Sequence, residues 1–196
     1  MRPLLISMML TFAALAVPAP AAAEPVADSE RIAVDFRRTT LVVRDIEASL
    51  PLYRDGLGLT VIYDQLIGAG VDAEGKPTPA TIRLVLLRAN DTFIGNLGLM
   101  QRLQGDPPPR APNARAQAGQ PILVFNASDL DTRFPMIEKL PGVEIQTAPV
   151  RVEYPGLNGS VIPVMFSAVY DPDGFFIEIN QLLGTAAGSE QKPNDD

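Results

Sequence analysis

The sequence predicts an α+β fold made of two similar halves, each with the order strand–helix–strand–strand–strand. Residues 38–58 and 122–142 align without a gap at a constant offset, so that position 38 corresponds to position 122. Apolar positions and helix-breaking residues recur together across about twenty positions, which chance rarely produces. A stretch containing Pro107–Pro109 separates the two halves and is typical of a stiff linker.

The aligned positions share their chemical character from the first strand to the end of the helix. The matched pairs are Leu41 with Phe125, Ile46 with Leu130, Leu50 with Phe134, Tyr53 with Ile137, and Gly58 with Gly142. We interpret this correspondence as an internal duplication.

The first 23 residues predict a secretory signal peptide. Arg2 supplies a short positive start, residues 4–17 form an apolar run, and Ala21–Ala23 offers a small-residue cleavage site. The run is short for a membrane span, although an uncleaved anchor is the alternative. No cysteine follows it, which disfavours a lipid-anchored protein. We therefore expect a periplasmic or secreted protein that has no membrane association after cleavage.

The composition excludes several classes of function. Arg2 is the only charged residue of the signal segment, so the mature chain carries 15 basic and 23 acidic residues, net −8. An acidic surface repels phosphate backbones, and nucleic-acid binding is disfavoured. The chain has no histidine and no cysteine, which excludes histidine-dependent hydrolase triads, thiol nucleophiles and stabilising disulfides.

Local signals place the elements of the first half. Phe36 begins a half-buried strand, and Asp45 is suited to cap the helix that follows it. Pro51 lacks a backbone donor, so we expect a kink, or a helix whose regular part begins near Ser49. Further strands are predicted at 59–65, 81–88 and 92–100, with a loop at 68–80.

The second half repeats this order. Its strand begins at Ile122, its helix begins at about Leu130, and its remaining strands are predicted near 143–146, 161–170 and 175–181. The chain thus divides into a signal peptide (1–23), a lead-in (24–35), a first module (36–101), a proline-rich linker (102–120), a second module (121–183) and a disordered tail (184–196).

Two phrases resemble a known superfamily. Residues 45–59 (DIEASLPLYRDGLGL) and 171–179 (DPDGFFIEI) are similar to segments of the vicinal oxygen chelate proteins, which include glyoxalase I, extradiol dioxygenases, and fosfomycin- and bleomycin-resistance proteins. The resemblance spans residues 36–182. It implies two βαβββ modules whose curled sheets share one cup, with helices outside and a ligand or divalent metal inside.

Strand alternation indicates which side chains would line such a cup. Leu41 and Val43 would pack under the helix, as would Ile177 and Ile179 near the end of the chain. The residues expected to face the cup are Arg38, Thr40, Val42, Ile122, Val124, Asn126, Phe176, Glu178 and Asn180.

The resemblance places family metal ligands at Arg38, Gly98, Ile122 and Glu178. Of these, only Glu178 could bind a cation, and one carboxylate does not make a site. We therefore expect no metal or other cofactor, with magnesium or calcium at Glu178 as the alternative. An Arg38–Glu178 ion pair could replace the cation; alternatively, Arg38 points to water.

Several motifs have a structural reading beside a functional one. Residues 171–174 suit a type I turn, with a calcium loop as the alternative. Tyr53 is expected in the core with its hydroxyl at the rim. Asn126 could orient a substrate carbonyl, and Phe176 could either stack on a ligand or fill the cup.

The leading hypothesis is an exported, metal-free protein that binds a small, partly apolar molecule through Arg38, Thr40, Asn126 and Phe176. The alternative is an isomerase or lyase in which Glu178 is the general base and Arg38 or Asn126 polarises a carbonyl. A third hypothesis is a structural or partner-binding module. Proteins that the chain resembles occur as single chains and as dimers, so a homodimer stays open.

Overall fold

The computed structural model describes residues 26–110, 118–156 and 159–184. The predicted signal peptide, the middle of the linker and nearly all of the predicted tail lie outside these residues. No helix within the described ranges is long and apolar enough to cross a bilayer.

The chain forms two modules of the same topology, which confirms the predicted α+β fold with curled sheets. The first sheet has the order β1–β6–β5–β2 and the second has the order β7–β10–β9–β8, so neither closes into a barrel. In each module the first strand runs parallel to the last one. The elements are β1 (Arg38–Val43), α1 (Ile46–Pro51), β2 (Thr60–Ile67), β3 (Gly70–Val71), β4 (Pro77–Thr78), β5 (Ile82–Arg88), β6 (Asn96–Arg102), β7 (Leu123–Asn126), α2 (Leu130–Ile137), β8 (Glu144–Pro155), β9 (Val161–Tyr170) and β10 (Phe176–Leu182).

The first helix begins where its cap predicts. The side chain of Asp45 accepts a hydrogen bond of 2.9 Å from the backbone of Glu47, and the helix starts at Ile46. Of the two alternatives expected from Pro51, a kink or a regular helix that begins near Ser49, the second is therefore wrong. After Pro51 the helix widens into a π-helical turn over Leu52–Gly56, at the point where proline removes a backbone donor.

The structure also differs from two other predictions about local structure. The predicted loop 68–80 contains the β3–β4 hairpin, whose turn is held by Asp72 Oδ1 accepting from the backbone of Glu74 and Lys76. Strand β8 extends to Pro155, well beyond the predicted 143–146. It accommodates Pro149 because its register shifts between Thr147 and Val150.

Both modules contribute to one hydrophobic core on the helix-facing sides of their sheets. The close approach of α2 to the π-helical turn is visible at Gly56, where an added Cβ would lie 3.0 Å from Ile137 and Leu140. The buried cluster includes Leu41, Val43, Ile46, Leu50, Tyr53, Val85, Leu87 and Leu99 from the first module, and Leu130, Phe134, Ile137, Val169, Ile177 and Ile179 from the second.

Two buried carboxylates of the second module bind the first module, and we call this contact the module clamp (Asp171 and Asp173 with Arg44, Ser49 and Tyr53). Asp173 Oδ1 accepts from the backbone N and Nε of Arg44 at 3.0 and 2.9 Å, and its Oδ2 accepts from Ser49 Oγ at 2.7 Å. The Tyr53 hydroxyl donates to Asp171 Oδ2 at 2.8 Å. Tyr53 is fully buried, so the expectation of a hydroxyl at the rim is wrong.

The predicted turn at residues 171–174 presents these carboxylates. Gly174 donates its N–H to the carbonyl of Asp171 at 3.0 Å, with φ of 92° at Gly174. Asp171 Oδ1 also accepts from the backbone N–H groups of Asp173 and Phe175. The turn therefore forms as the sequence predicts, and its aspartates join the two modules.

Burial raises the pKa values of two groups in the module clamp, the Asp171 carboxyl and the Tyr53 hydroxyl. Loss of solvent raises the pKa of Asp171, while hydrogen bonds from Phe175 and Tyr53 act in the opposite direction. Burial, followed by the negative charge of Asp171, raises the pKa of Tyr53 well above its usual value. Tyr53 is therefore a neutral hydrogen-bond donor throughout the physiological pH range.

Replacing Tyr53 by phenylalanine tests the clamp. Tyr53→Phe leaves Asp171 Oδ2 buried without its donor, and we expect a loss of about 1–3 kcal/mol in the free energy of unfolding. Urea denaturation followed by circular dichroism measures the change. The control is Tyr63→Phe on β2, where the side chain is partly exposed and the expected change is within about 0.5 kcal/mol. Equal effects of the two substitutions would contradict the clamp.

The pH dependence of stability gives an independent test. The raised folded-state pKa of Asp171 means that its contribution is fully present below the unfolded value of 3.8 and is lost as pH rises through the folded value. The free energy of unfolding of the wild type, minus that of Asp171→Asn, is therefore expected to decrease as pH rises above about 4 and to level off once the pH exceeds the folded-state pKa of Asp171. Parallel urea titrations of the two proteins measure this difference, in which the carboxylates that do not interact with Asp171 cancel. An increase with pH would show that the pKa of Asp171 is lowered.

Candidate functional site

The side of each sheet opposite the helices is the candidate site. In β1 the side chains of Leu41 and Val43 are buried, whereas Arg38, Thr40 and Val42 are exposed. We call the latter three, with Asn96, Gly98 and Met100 of β6, the first open face. Its counterpart, the second open face, consists of Ile122, the adjoining β7 residues Val124 and Asn126, and Phe176, Glu178 and Asn180 of β10.

Thr40 lies against Gly98 in the first open face. The two residues are paired in register across β1 and β6, and an added Cβ at Gly98 would lie 2.7 Å from Thr40 Oγ1 and 3.1 Å from Thr40 Cγ2. Thr40 therefore occupies the space into which a side chain at position 98 would project.

The second open face combines exposed apolar and polar groups. Val124 is 61% exposed and Asn126 is also exposed. Asn126 Oδ1 accepts from the backbone of Leu182 at 3.3 Å. Glu178 is half-buried, and its Oε2 accepts from Asn180 Nδ2 at 3.2 Å. Phe176 contacts Tyr170 edge-on, with ring centroids 5.5 Å apart.

The expected Arg38–Glu178 ion pair is wrong for this chain. Arg38 lies on β1 of the first sheet and Glu178 on β10 of the second, and neither side chain takes part in an ion pair with any described residue. The Glu178 carboxylate instead accepts a hydrogen bond from the side-chain amide of Asn180 on the same strand. The five predicted site residues are therefore divided, with Arg38 and Thr40 on one sheet and Asn126, Phe176 and Glu178 on the other.

Asn96 carries a buried polar group that sequence reasoning missed. It is paired in register with Arg38 and is only 5% exposed. Its Nδ2 donates to the carbonyls of Thr92 and Phe93. Its Oδ1 is buried and has no hydrogen-bond partner among the residues that the structure describes. An unsatisfied buried acceptor is costly, and no sequence pattern signalled it because it results from the fold of the loop before β6.

A polar cavity of about 250 Å³ lies between the modules beside Asn126. Arg133 lines it, and its Nε donates to Asp129 Oδ1 at 2.7 Å while its Nη1 donates to the carbonyl of Gly56 at 3.2 Å. The other lining residues are Leu57, Gly58, Leu59, Ala89, Asn90, Phe125, Ala127 and Ser128.

Comparison with known proteins identifies the superfamily to which this fold belongs. The profile described as the Glyoxalase/Bleomycin resistance protein/Dioxygenase superfamily matches residues 35–179, well over half of the chain. The chain belongs to this superfamily. Among curated proteins, no match is found.

One solved structure of a glyoxalase family protein shares the fold, and two further structures are similar at lower TM-scores. A glyoxalase family protein from Bacillus cereus is 14% identical, with 81% of this chain and all of that chain covered and a TM-score of 0.56. Glyoxalase I of Leishmania major is 19% identical, covering 76% of this chain and 87% of its own, with a TM-score of 0.47. An integron cassette protein of Vibrio cholerae is 24% identical over 77% of this chain and 96% of its own, with a TM-score of 0.43. At 14% identity, the likeness to the Bacillus cereus protein concerns the fold alone.

The superfamily implies a divalent metal, and the residues at the corresponding positions do not fit one. Arg38 is cationic, Ile122 is apolar, and Gly98 has no side chain and is covered by Thr40. Within the described ranges, no group of three or more histidine, cysteine, aspartate or glutamate side chains could hold an ion. The donor chemistry of this superfamily member therefore supports no metal-dependent step.

The fit between Thr40 and Gly98 can be tested by a double-mutant cycle. Gly98→Ala brings a methyl group into the space filled by Thr40, and we expect a loss of about 1–3 kcal/mol in the free energy of unfolding. Thr40→Ala in the same chain removes Oγ1 and Cγ2 and should recover at least half of that loss. Chemical denaturation of the four proteins measures the coupling. Additive effects would contradict the close contact.

Proposed function

We propose that the mature, exported protein binds a small, partly apolar molecule on its open faces, without the superfamily metal. The observation that carries this proposal is the mixture of exposed aliphatic and polar side chains on the first strand of each sheet, on the side opposite the helices. Val42 is 49% exposed and Val124 is 61% exposed. Covering such surface is worth about 25 cal/mol per Å² of apolar area, while Arg38, Thr40 and Asn126 supply orienting polar groups.

An isomerase or lyase that uses Glu178 as its general base is the second candidate. The specific observation in its favour is the missing ion pair, because a carboxylate held by a guanidinium would be a poorer base. Asn126 belongs to the same sheet and could polarise a carbonyl. Such an enzyme would act without a metal ion at the positions where the superfamily binds one.

The exposed open faces count against the third candidate, a module whose cup is filled by its own side chains. A filled cup would bury Val42, Ile122 and Val124, whereas Ile122 is 46% exposed and the two valines are more exposed still. Export rests on the pattern of residues 1–23. Cell fractionation with N-terminal sequencing tests it, because a periplasmic or secreted chain should begin at Glu24.

Gentle purification of residues 24–196, followed by mass spectrometry of what co-elutes, tests the binding proposal. We expect a low-mass compound at near-stoichiometric amounts. Val124→Asp should weaken its binding at least about tenfold, which is roughly 1.4 kcal/mol, because a carboxylate replaces apolar contact. The matched control is Val71→Asp on β3, where the native side chain is 70% exposed, and its affinity should be unchanged.

Glu178→Gln separates binding from catalysis. If the protein only binds a neutral molecule, the affinity of this variant should stay within about threefold, or roughly 0.7 kcal/mol. Conversion of the compound by wild type, abolished in Glu178→Gln, would replace the binding proposal with the enzyme. Stoichiometric transition metal in purified protein would contradict both.

A further inference from the structure

The first open face continues from β6 onto β5, where it is apolar. Leu86 is paired in register with Gly98, and Leu84 is paired with Met100. Residues directly opposite each other in an antiparallel pair lie on the same face of the sheet. Leu84, Leu86 and Met100 are half-buried. We call these three residues, together with Val42, the apolar floor.

Three arginines belong to the same face. Arg38 is part of the first open face already. Arg88 lies two residues after Leu86 on β5, and Arg102 lies two residues after Met100 on β6, so both share the face of those residues. We call Arg38, Arg88 and Arg102 the arginine rim. Because each of them begins or ends its strand, the apolar floor lies between charged ends.

The arginine rim has no counter-ion among the described residues, in contrast to most arginines of the same part of the chain. Besides the rim, the described arginine without an ion pair is Arg37, which lies over the Phe93 ring. Arg88 Nη1 donates to a neutral group, the carbonyl of Ala89, at 3.1 Å. The arginines that form ion pairs are Arg31, Arg44, Arg54, Arg83, Arg110, Arg133 and Arg151.

The strands of the first sheet place no carboxylate on this face. The one acidic residue in β1, β2, β5 and β6 is Asp64. It is paired in register with the buried Val85 and accepts from Arg83 at 2.7 Å, so it lies on the helix side of the sheet. A half-buried guanidinium such as that of Arg88, without a counter-ion, is unfavourable. An anion from outside the chain would relieve this cost.

Arg38 and Arg88 are placed to hold one anion together. Arg38 is paired with Asn96, and Arg88 follows Leu87, whose partner is Leu97, so the two arginines lie on either side of Asn96. The strands on either side of a third strand are about 10 Å apart. Both guanidinium groups can therefore reach a small group bound above Asn96, since each ends a long side chain.

We propose that the first open face binds an amphipathic anion, with a carboxylate or similar oxyanion between Arg38 and Arg88 and an aliphatic body along the apolar floor. A guanidinium binds a carboxylate through two parallel hydrogen bonds, and aliphatic surface laid on the floor leaves water. The row of Val42 is four residues from the row of Arg38, about 13 Å along the strand. The inference rests on the proposed function and adds the charge of the molecule and the face that receives its charged end.

The other end of the apolar floor adjoins a cavity of about 610 Å³, a volume typical of small-molecule sites. Val42 and Arg102 line it together with Pro107 and Pro108 of the linker. The Asp106 carboxylate also lines it, so the positive charge of Arg102 is offset there. The apolar end of the molecule is therefore expected in this cavity and the anionic end between the other two arginines of the rim.

Charge distinguishes the first open face from the rest of the protein. The second open face contains Glu178 and neither arginine nor lysine, and the whole chain has a net charge of −7. Most of the surface therefore repels an anion, whereas the arginine rim attracts one. The same charges that favour an anionic molecule also select the face on which it binds.

A matched set of probes tests the class of ligand. Isothermal titration calorimetry of residues 24–196 with octanoate, 1-octanol and octylammonium compares one aliphatic chain with three head groups. At about pH 7.5, where a carboxylate is ionised, we expect octanoate to bind at least about tenfold more tightly than 1-octanol. Octylammonium should bind no more tightly than 1-octanol. High salt should remove most of the advantage of octanoate, because it screens charges at an exposed site.

Substitutions in the arginine rim test the face. Arg38→Gln and Arg88→Gln should each weaken octanoate binding at least about fivefold and leave 1-octanol binding within about twofold. Arg38→Lys should retain more octanoate affinity than Arg38→Gln, since it keeps the charge and loses the planar fork. The matched control is Arg54→Gln, which removes the same charge from an exposed pair with Asp55 and should leave the affinity for both probes unchanged. Circular dichroism checks that each variant is folded.

Three results would overturn the inference. Equal affinity of the wild type for octanoate and 1-octanol would show that the face does not select an anion. Equal losses in Arg38→Gln and Arg54→Gln would show that octanoate responds to net charge alone. Binding to phosphatidylglycerol vesicles that requires Arg38 and Arg88, without octanoate binding, would assign the arginine rim to a membrane surface.

The inference and the proposed function fail separately. A neutral or cationic compound that co-elutes with the protein would uphold the proposed function and overturn the anionic class. If no compound co-elutes and none of the three probes binds, both are overturned. An anionic compound whose affinity falls in Arg38→Gln but not in Arg54→Gln would support both.

Discussion

The module clamp is the interaction on which the rest of the structure depends. Asp171 and Asp173 are 0% and 8% exposed, and two carboxylates so close together are unfavourable without compensation. Each is surrounded by donors: Asp171 accepts from Tyr53 and two backbone N–H groups, and Asp173 accepts from Ser49 and Arg44. Because these donors belong largely to the first module and the carboxylates to the second, the clamp fixes how the two sheets, and hence the two open faces, are placed.

The duplicated modules have diverged at this contact. The positions that correspond to Arg44, Ser49 and Tyr53 in the second module are Ser128, Arg133 and Ile137. Ile137 has no hydroxyl. Arg133 donates hydrogen bonds to the Asp129 carboxylate and to the carbonyl of Gly56. The equivalent junction therefore holds a polar cavity rather than a buried carboxylate. The two junctions are therefore built differently, although the modules share one topology.

The open faces differ from the core in the same sheets by a single step along each strand. Leu41 and Ile177 are buried, while their neighbours Thr40 and Glu178 reach the opposite side. The positions on that side that correspond to the metal ligands of the superfamily are Arg38, Gly98, Ile122 and Glu178. A surface of this kind can hold a molecule by apolar contact and a few hydrogen bonds. It lacks the clustered anionic or imidazole ligands that would polarise a substrate through a metal.

The repeat, its apolar periodicity and the caps are local properties, and for that reason the sequence alone determined the two-module α+β fold, the Asp45 cap, the turn at residues 171–174 and the faces of the strands. The partners of buried polar groups depend on which elements meet, and only the tertiary structure decided those. It separated Arg38 from Glu178, placed the Tyr53 hydroxyl on Asp171, and left Asn96 Oδ1 without a described donor. The physical reason is that a side chain's face follows from alternation within one strand, whereas its hydrogen-bond partner can lie more than a hundred residues away.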